Sequence, residues 1–166
     1  MTPSNVSVRG AIAQDEGVVL ALNDADVAFT SAMDRSRLAL LAGMSWHYRV
    51  ACRDEQVVGF LLAMRNGAPY ENDNFAWFSA RFPSFVYVDR IVVSSKARGL
   101  RVGSLLYEDL FGRAKREAIP LVTCEYNIEP PNEPSRLFHD KFGFIEQGRQ
   151  WVSNGTKRVS LQAART

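Results

Sequence analysis

Metal-binding and cross-linking residue types are scarce in this 166-residue sequence, which has two cysteines and two histidines. They do not recur at the spacings of a metal site, so we expect no bound metal. Cys52 and Cys124 lie far apart in predicted strands. With no recognisable secretory signal, we expect both to be reduced, buried thiols in a cytoplasmic protein, and a disulfide is the less favoured alternative.

The sequence also lacks a strong charge imbalance and long apolar segments. Its formal net charge of +2 is too small to indicate a nucleic acid or a membrane surface as the main partner. No run approaches the roughly 18 apolar residues that a membrane-spanning helix needs. Apolar residues make up 46% and charged residues 23%, which predicts a single domain over residues 1–166 with an ordinary core.

Hydrophobic patterns typical of strands and of helices follow one another along the chain and predict an α/β protein. The expected strands are residues 6–12, 46–53, 56–64, 85–93, 121–126, 144–151 and 158–162. The expected helices are residues 15–28, 33–43, a segment that begins at Val102, and 135–142. Gly59, inside the third strand, indicates either a bulge or the close approach of another group.

Residues 65–84 form the longest expected connection. Aromatic side chains stand among its polar ones: Tyr70, Phe75, Trp77, Phe78 and Phe82. Long loops in compact domains are often functional. These aromatic residues form one wall of an acceptor pocket, or they pin the loop to the protein, or they form a dimer contact.

Residues 85–107 predict a buried strand, a basic turn and the start of a helix. A helix N-terminus offers unpaired N–H groups and the positive end of the helix dipole. Gly99 and Gly103 allow a ligand to approach the backbone. Basic residues border the turn: Lys96, Arg98 and Arg101. The combination predicts a phosphate or pyrophosphate site, and the alternative is an ordinary turn with solvated basic residues.

The run from Ile91 to Leu106 resembles the acetyl-CoA motif of the GNAT acetyltransferase superfamily, Arg/Gln-x-x-Gly-x-Gly/Ala between a strand and a helix. Arg98 and Gly103 match its first and last positions, whereas Arg101 stands where the motif has its middle glycine. A second segment, residues 132–144, resembles the later family motif Asn-x-x-Ala-x-x-Leu-Tyr-x-x-x-Gly-Phe. Two motifs in the family's order are more specific than either motif alone.

The resemblance implies the GNAT fold, a central mixed β-sheet of about seven strands flanked by about four helices. It implies that the strands at 85–93 and 121–126 run parallel and separate at one end, where acyl-CoA enters. The implied activity is direct transfer of the acetyl group of acetyl-CoA to a primary amine of a small molecule or peptide, within a ternary complex. A less favoured route uses Cys124 as a nucleophile that is acylated first. The alternative is a protein of the same fold that binds acyl-CoA without catalysis, as a sensor or structural subunit.

The resemblance assigns acetyl-CoA to two stretches. The backbone of residues 98–104 would hold the pyrophosphate, and the strand edge at 91–93 would pair with the pantetheine amides and donate an N–H to the oxyanion. The expected cofactor-binding residues are Ile91, Val92, Val93, Arg98, Gly99, Leu100, Arg101, Val102, Gly103, Ser104, Asn132 and Arg136. Asn132 matches the second motif, and Arg136 is predicted from its charge and its helix position.

Two carboxylates are candidates for the base that takes the proton of the amine. Asp89 lies in an otherwise apolar strand, where an unpaired carboxylate is costly, and family members carry an acid at this position. Side chains alternate along a strand, so we do not expect Arg90 to be its partner. Glu125 closes the neighbouring parallel strand and is expected to face the same cleft. Burial would raise the pKa of either carboxyl group and make it a better base.

His139 stands where the family has the tyrosine that protonates the departing thiolate. Histidine titrates near neutrality, so His139 is expected to act as the general acid in place of the phenol. Alternatively, His139 pairs with Asp140 or with a phosphate, and water, Tyr126 or Tyr107 protonates the thiolate. The thiol pKa of about 8.5 makes the thiolate a good leaving group in either case.

The acceptor is expected to contact aromatic side chains. The candidate acceptor-binding residues are Phe29, Tyr70, Trp77 and Tyr87. Acidic residues early in the chain, among them Asp24 and Asp26, indicate a cationic or aromatic small molecule. The aromatic loop and the last hairpin could also form a homodimer.

Overall fold

The computed structural model describes residues 5–166, which form seven β-strands and five α-helices. The strands are β1 (Val6–Gly10), β2 (His47–Arg53), β3 (Gln56–Arg65), β4 (Val86–Val93), β5 (Leu121–Glu129), β6 (Ile145–Val152) and β7 (Lys157–Arg165). The helices are α1 (Glu16–Ala25), α2 (Arg35–Met44), α3 (Asp73–Ser79), α4 (Val102–Arg116) and α5 (Glu133–Asp140). All predicted strands and helices are present, together with one helix that the sequence did not predict.

The seven strands form one mixed sheet in the order β1-β2-β3-β4-β5-β7-β6. β4 and β5 run parallel, with Val86 opposite Val122 and Tyr87 opposite Thr123. Antiparallel pairing joins β1 to β2, β2 to β3, β5 to β7 and β6 to β7. The predicted mixed α/β fold is confirmed, and so is the parallel direction of β4 and β5.

The chain divides into two compact units. Among the described residues, the first comprises those up to Met64 together with Val88–Arg113, and the second comprises Arg65–Tyr87 together with Ala114–Thr166. Strand β4 therefore contributes its start to the second unit and its end to the first.

The helices of the first unit each bury apolar side chains. α1 buries Val19, α2 buries Leu41, and α4 buries Leu106 and Leu110, all at 0% exposure. Asp34 fixes the start of α2, because its carboxylate accepts a hydrogen bond from the third residue of that helix. Between residues 5 and 166, no helix has the length and apolar character of a membrane span.

Both predicted alternatives for Gly59 are present in β3. The register of β2 against β3 shifts between Ala51 and Cys52, next to the partner of Gly59, which indicates a β-bulge. A Cβ atom on Gly59 would lie 3.0 Å from the carbonyl oxygen of Val92 and 3.0 Å from Cγ1 of Val102. The missing side chain therefore lets the end of β4 and the start of α4 approach β3 closely.

In the second unit, α3 lies inside the segment 65–84, for which the sequence predicts an irregular loop. The prediction is wrong for Asp73–Ser79. Asn72 caps the helix, since its Oδ1 accepts hydrogen bonds from the backbone of Asn74 and Phe75, each at 3.0 Å. A helix of two turns is too short to show an apolar period, and its stability comes from packing.

That packing is an aromatic cluster within the second unit. Ring centroids of α3 residues lie 5.7 to 6.2 Å from those of Phe85 and Tyr87. The buried members are Tyr70, Phe75, Phe78, Phe85 and Tyr87. Of the alternatives for the aromatic segment, the pinning of the chain by its own rings is therefore confirmed for these residues.

Candidate active site

A turn follows β4, and backbone hydrogen bonds stabilise it. The N–H of Ser94 donates to the carbonyl oxygen of Val58 at 2.8 Å, which fixes the end of β4 next to β3. A short 3-10 turn follows at Ser95–Ala97, and α4 begins at Val102. The predicted order of strand, basic turn and helix is therefore confirmed.

Two residues of this turn have left-handed backbone conformations. Gly99 has a φ of +81°, and Arg101 has a φ of +60°. Arg101 occupies the position of the middle glycine in the acetyl-CoA motif. A left-handed residue explains a glycine there, because other residues adopt this conformation at a cost. The guanidinium of Arg101 forms an exposed ion pair with Glu108 at 2.8 Å.

The start of α4 presents backbone N–H groups next to this turn. The first N–H groups of a helix have no partner inside the helix, and they carry the positive end of its dipole. In α4 the bond from Leu105 N to Arg101 O, at 2.9 Å, begins the helical ladder. The N–H groups of residues 102–104 precede it. Together with the exposed Arg98 they could hold a pyrophosphate.

A cavity of about 360 Å³ lies between α1 and the end of β4, within the first unit. It is lined by Gly17, Val18, Ala21, Leu22, Ala25, Asp26, Val93, Ser94, Ser95 and Arg98. Burial raises the pKa of Asp26 above its usual value, while the positive charge of Arg98 acts in the opposite direction. The cavity brings two predicted cofactor residues, Val93 and Arg98, together with a desolvated carboxylate.

The other predicted cofactor residues of this unit differ in exposure. Val92 is 2% exposed, whereas Ile91 and Val93 are half-buried. Leu100 and Ser104 are also half-buried. Their contact with the pantetheine arm or the pyrophosphate stays a prediction.

Asp89 and Arg90 form an ion pair, so the prediction that Arg90 is not the partner of Asp89 is wrong. Nε of Arg90 lies 2.7 Å from Oδ2 of Asp89, and each side chain is 4% exposed. A buried guanidinium needs a counter-charge, and the long arginine side chain reaches the carboxylate of its neighbour. An acceptor amine would have to compete with Arg90 for Asp89.

In the second unit, Tyr87 and Glu125 lie together, although the sequence predicts different roles for them. The hydroxyl of Tyr87 donates to the carboxylate of Glu125, 2.7 Å from Oε2 and 2.9 Å from Oε1. Tyr87 is fully buried, and Glu125 is half-buried. Tyr87 is paired with Thr123, and Glu125 is two residues further on the same face of β5. The tyrosine holds the carboxylate in one orientation.

His139 is buried in α5, at 3% exposure. Its Nδ1 lies 2.7 Å from the carbonyl oxygen of Ser135, so Nδ1 is assigned as the donor of a neutral ring. Three aromatic rings lie 5.1 to 5.9 Å from it: those of Tyr126, Phe138 and Phe144. Burial lowers the pKa of His139, and the hydrogen bond to Ser135 acts in the opposite direction. Burial therefore favours the neutral form of the imidazole.

The two predicted cofactor residues near the start of α5 have partners in their own helix. Asn132 is the N-cap, and its Oδ1 accepts from the N–H of Ser135 at 3.3 Å. Arg136 pairs with Glu133 and with Asp140, the latter at 3.2 Å. An anionic ligand would have to draw Arg136 away from these carboxylates. A role for both residues in cofactor binding stays a prediction.

The predicted acceptor residues lie in different environments. Phe29, between α1 and α2, is 49% exposed, whereas Tyr70 is 7% exposed in the aromatic cluster. Trp77 covers the backbone of β6, where a Cβ atom on Gly148 would lie 2.5 Å from its ring. Arg81 lies 3.7 Å from the centroid of the same ring. Phe29 thus has the exposed ring, and Tyr70 supports the fold.

A buried polar group around Arg90 was missed by sequence reasoning. Asn23 of α1, at 0% exposure, and the exposed Ser31 both accept hydrogen bonds from the guanidinium. An asparagine on the apolar side of a predicted helix is a signal for such a group. No pattern in the sequence marks Ser31.

Cys52 and Cys124 are both buried and do not form a disulfide, as predicted. Within residues 5–166, no group of three or more His, Cys, Asp or Glu side chains is placed to hold a metal ion.

Known proteins resemble this chain in sequence profile and in fold. The profile of the acetyltransferase (GNAT) family matches residues 19–144. No curated protein sequence matches the chain significantly.

Three solved structures illustrate the similarity of fold. Ard1 from Thermoplasma volcanium is 15% identical, with a TM-score of 0.79 over 97% of each chain. An N-acetyltransferase from Staphylococcus aureus Mu50 is 19% identical, with a TM-score of 0.74 over 98% of this chain and 99% of that one. The ribosomal-protein-alanine N-acetyltransferase from Brucella melitensis is 22% identical, with a TM-score of 0.72 over 96% and 99%.

Proposed function

Because the chain belongs to the acetyltransferase (GNAT) family, whose members use acetyl-CoA as co-substrate, we propose that it acetylates a primary amine of a small molecule or peptide. The observation that carries the proposal is the turn before α4. There Gly99 and Arg101 have left-handed conformations beside a helix N-terminus. We propose direct transfer, because Cys124, at 2% exposure, is poorly placed to become an acylated nucleophile.

The cofactor would be held mainly by backbone groups. Residues 98–104 would bind the pyrophosphate through N–H groups and the charge of Arg98. Residues 91–93 would pair with the pantetheine amides, and an N–H of this stretch would stabilise the oxyanion of the thioester carbonyl. Asn132 and Arg136, in the second unit, are further candidates for contact with acetyl-CoA.

Glu125 is the proposed base. The amine nitrogen attacks the carbonyl carbon of the thioester, and the carboxylate of Glu125 takes a proton from that nitrogen. The C–S bond then breaks, which releases the amide and the thiolate of CoA. Tyr87 supports the geometry of this step, because its hydroxyl already orients the carboxylate at 2.7 Å.

Asp89 is the second candidate for the base. Its 2.7 Å ion pair with Arg90 favours a different contribution, as the counter-charge of a buried guanidinium. Replacement of Asp89 by Asn would then lower the stability of the fold as well as turnover. Replacement of Glu125 by Gln would affect turnover alone.

We propose that water protonates the departing thiolate. Burial lowers the pKa of His139, and its Nδ1 hydrogen bonds to the carbonyl oxygen of Ser135, so both the burial and the tautomer disfavour His139 as the proton donor. A thiolate whose conjugate acid has a pKa of about 8.5 leaves without strong assistance. A second candidate function is an acyl-CoA-binding protein without catalysis. It is favoured by the replacement of the motif's proton-donating tyrosine by the buried His139.

The first experiment is isothermal titration with acetyl-CoA, followed by thiol release in the presence of tyramine, lysine amide and a short peptide with a free amino terminus. Micromolar binding of acetyl-CoA and amine-dependent thiol release are expected. Binding without release by any amine would favour the sensor. No binding would contradict both functions.

A pair of glycine variants makes the binding test specific. Gly103→Trp should abolish acetyl-CoA binding, because the indole would occupy the start of α4. Gly43→Trp is the matched control in α2, where a Cβ atom meets nothing within 4 Å. The control should bind like the wild type, and thermal unfolding should show that both variants are folded.

A further inference from the structure

Asp26 is a carboxylate in a position that disfavours its negative charge. It is the C-cap residue of α1, and the last turn of that helix carries no basic residue. The C-terminal end of a helix has a partial negative charge, which destabilises an acid there. Asp26 is also half-buried, and burial raises the pKa of its carboxyl group. A nearby cation would therefore stabilise the ionised form.

Arg98 supplies that cation from the turn after β4. Both residues belong to the first unit and line the same cavity of about 360 Å³. Among the ten residues that line it, Asp26 is the sole acid and Arg98 the sole base. The positive charge of Arg98 lowers the pKa of Asp26, against the effect of burial. The residue expected to bind the pyrophosphate therefore already has a negative charge in its own cavity.

The other charged groups nearby in the sequence have different surroundings. Asp24, two residues before Asp26, lines a separate cavity. On the turn, Arg101 forms an ion pair with a glutamate of α4 at 2.8 Å. Lys96 is exposed and is not among the residues that line the cavity of Asp26. Within this cavity, Arg98 is thus the counter-charge of Asp26.

Backbone hydrogen bonds fix the chain on both sides of the pair. The carbonyl oxygen of Asp26 accepts a hydrogen bond from the N–H of Phe29 at 3.0 Å. On the turn, the N–H of Ala97 donates to the carbonyl oxygen of Ser94 at 2.9 Å. Arg98 itself is exposed. Its guanidinium can consequently exchange one anionic partner for another without a change in the backbone.

We propose that Asp26 is an internal competitor of acetyl-CoA for Arg98. In the free protein the carboxylate is the counter-ion of the guanidinium, and the pyrophosphate of acetyl-CoA takes its place. The carboxylate then lies beside a new negative charge without its cation, so it binds a proton from the solvent more readily. Asp26 thereby lowers the affinity for acetyl-CoA, most strongly at neutral and higher pH. This inference rests on the proposed binding of acetyl-CoA by residues 98–104.

Asp26→Asn tests the proposal, because it removes the competing charge and keeps the shape of the side chain. Isothermal titration at pH 7.5 should give an acetyl-CoA dissociation constant about fivefold lower than that of the wild type. Asp24→Asn is the matched control, since it removes the same charge from the same end of α1 but outside the cavity. The control should change the constant less than twofold, and thermal unfolding should show that both variants are folded.

Two further comparisons identify the cause of the tighter binding. At pH 5.5 the advantage of Asp26→Asn should shrink, because part of the wild-type carboxylate is then protonated in the complex. The phosphates of acetyl-CoA titrate alike with both proteins. In an Arg98→Gln background the advantage should disappear, since the cation for which Asp26 competes is absent.

An unchanged or higher dissociation constant in Asp26→Asn overturns the proposal. So does an advantage of the same size in the Arg98→Gln background, because Asp26 would then act on the phosphates without Arg98. The wild type is titrated in the same series. Its failure to bind acetyl-CoA would contradict the proposed function itself, so the two failures are distinguishable.

Discussion

Arg101 has a left-handed backbone, with a φ of +60°, at a position where glycine would be unstrained. Arg101→Gly and Arg101→Ala both remove the exposed ion pair with Glu108, which contributes about 0–1 kcal/mol. They differ in backbone strain, since only glycine adopts this conformation freely. The Gly variant should therefore be more stable than the Ala variant by about 1 kcal/mol in urea unfolding.

Equal stabilities of the two variants would show that the turn relaxes without strain. The acetyl-CoA dissociation constant gives a second comparison. It should be lower in Arg101→Gly than in Arg101→Ala, because both variants lose the same charge and only glycine favours the backbone path that the pyrophosphate needs. The difference in the free energy of unfolding between the two variants measures the backbone strain that a residue other than glycine has at this position of the motif.

Glu125 and Tyr87 provide the test of the chemical step. Glu125→Gln should lower kcat about 10²- to 10⁴-fold, because the amide cannot take the proton of the amine. Tyr87→Phe removes the hydroxyl that lies 2.7 Å from the carboxylate and should lower kcat by a smaller factor. The acetyl-CoA dissociation constant should be unchanged in both variants. Full activity of Glu125→Gln would contradict Glu125 as the base and favour Asp89. The kcat of Asp89→Asn would then test that assignment.

Individual residues of the candidate site could be predicted from the sequence, but their partners could not. A carboxylate at the end of a strand marks Glu125, yet nothing in a linear pattern links it to Tyr87. Strand alternation excluded Arg90 as a partner of Asp89, but the reach of the arginine side chain overrides it. The state of His139 depends on burial among rings from separate elements, which a motif position does not reveal.

Helix α3 shows how an element is decided by packing. Trp77 lies over β6 so closely that a Cβ atom on Gly148 would be 2.5 Å from its ring. Gly148→Ala should therefore destabilise the protein by about 1–3 kcal/mol, through overpacking between α3 and β6. Gly43→Ala, in a helix with open space at the Cβ position, is the control and should be neutral or stabilising.

A double variant separates this contact from a general effect of alanine in a strand. Trp77→Phe replaces the indole by a smaller ring and should recover part of the stability that Gly148→Ala loses. A loss of the same size in both backgrounds would mean that α3 does not rest on Gly148. Thermal or urea unfolding of the four proteins completes the cycle.

The order of the elements was predictable because apolar periods of strands and helices are properties of the chain itself. Helices α1, α2, α4 and α5 and all seven strands have such periods or clear turn residues at their ends. Helix α3 has seven residues, and its two buried rings, Phe75 and Phe78, are only one turn apart. The position of α3 depends on packing against the aromatic rings of Phe85 and Tyr87, which lie outside the helix. The helix could therefore not be recognised from its own sequence.

Buried histidines make the stability of the folded protein depend on pH. His47 is 2% exposed, with Nε2 3.1 Å from the carboxylate of Asp109. Arg113 lies 3.4 Å from its Nδ1, and Arg49 lies 3.3 Å from the same carboxylate. Burial lowers the pKa of His47 from 6.5 to about 4, although Asp109 acts in the opposite direction. Burial lowers the pKa of His139 as well.

The direction in which stability changes with pH follows from the difference in proton binding between the folded and the unfolded protein. Between about pH 6.5 and 4 the unfolded chain takes up a proton at His47 while the folded protein does not, so stability is lost as the pH falls through this window. The loss from His47 should approach about 3 kcal/mol. Thermal unfolding at pH 7.5, 5.5 and 4.5 should show it, and His47→Gln should flatten the slope. The lowered pKa of Asp15, paired with Arg9, contributes only at lower pH. An unchanged slope in His47→Gln would assign the loss to His139, which His139→Gln then tests by the same measurement.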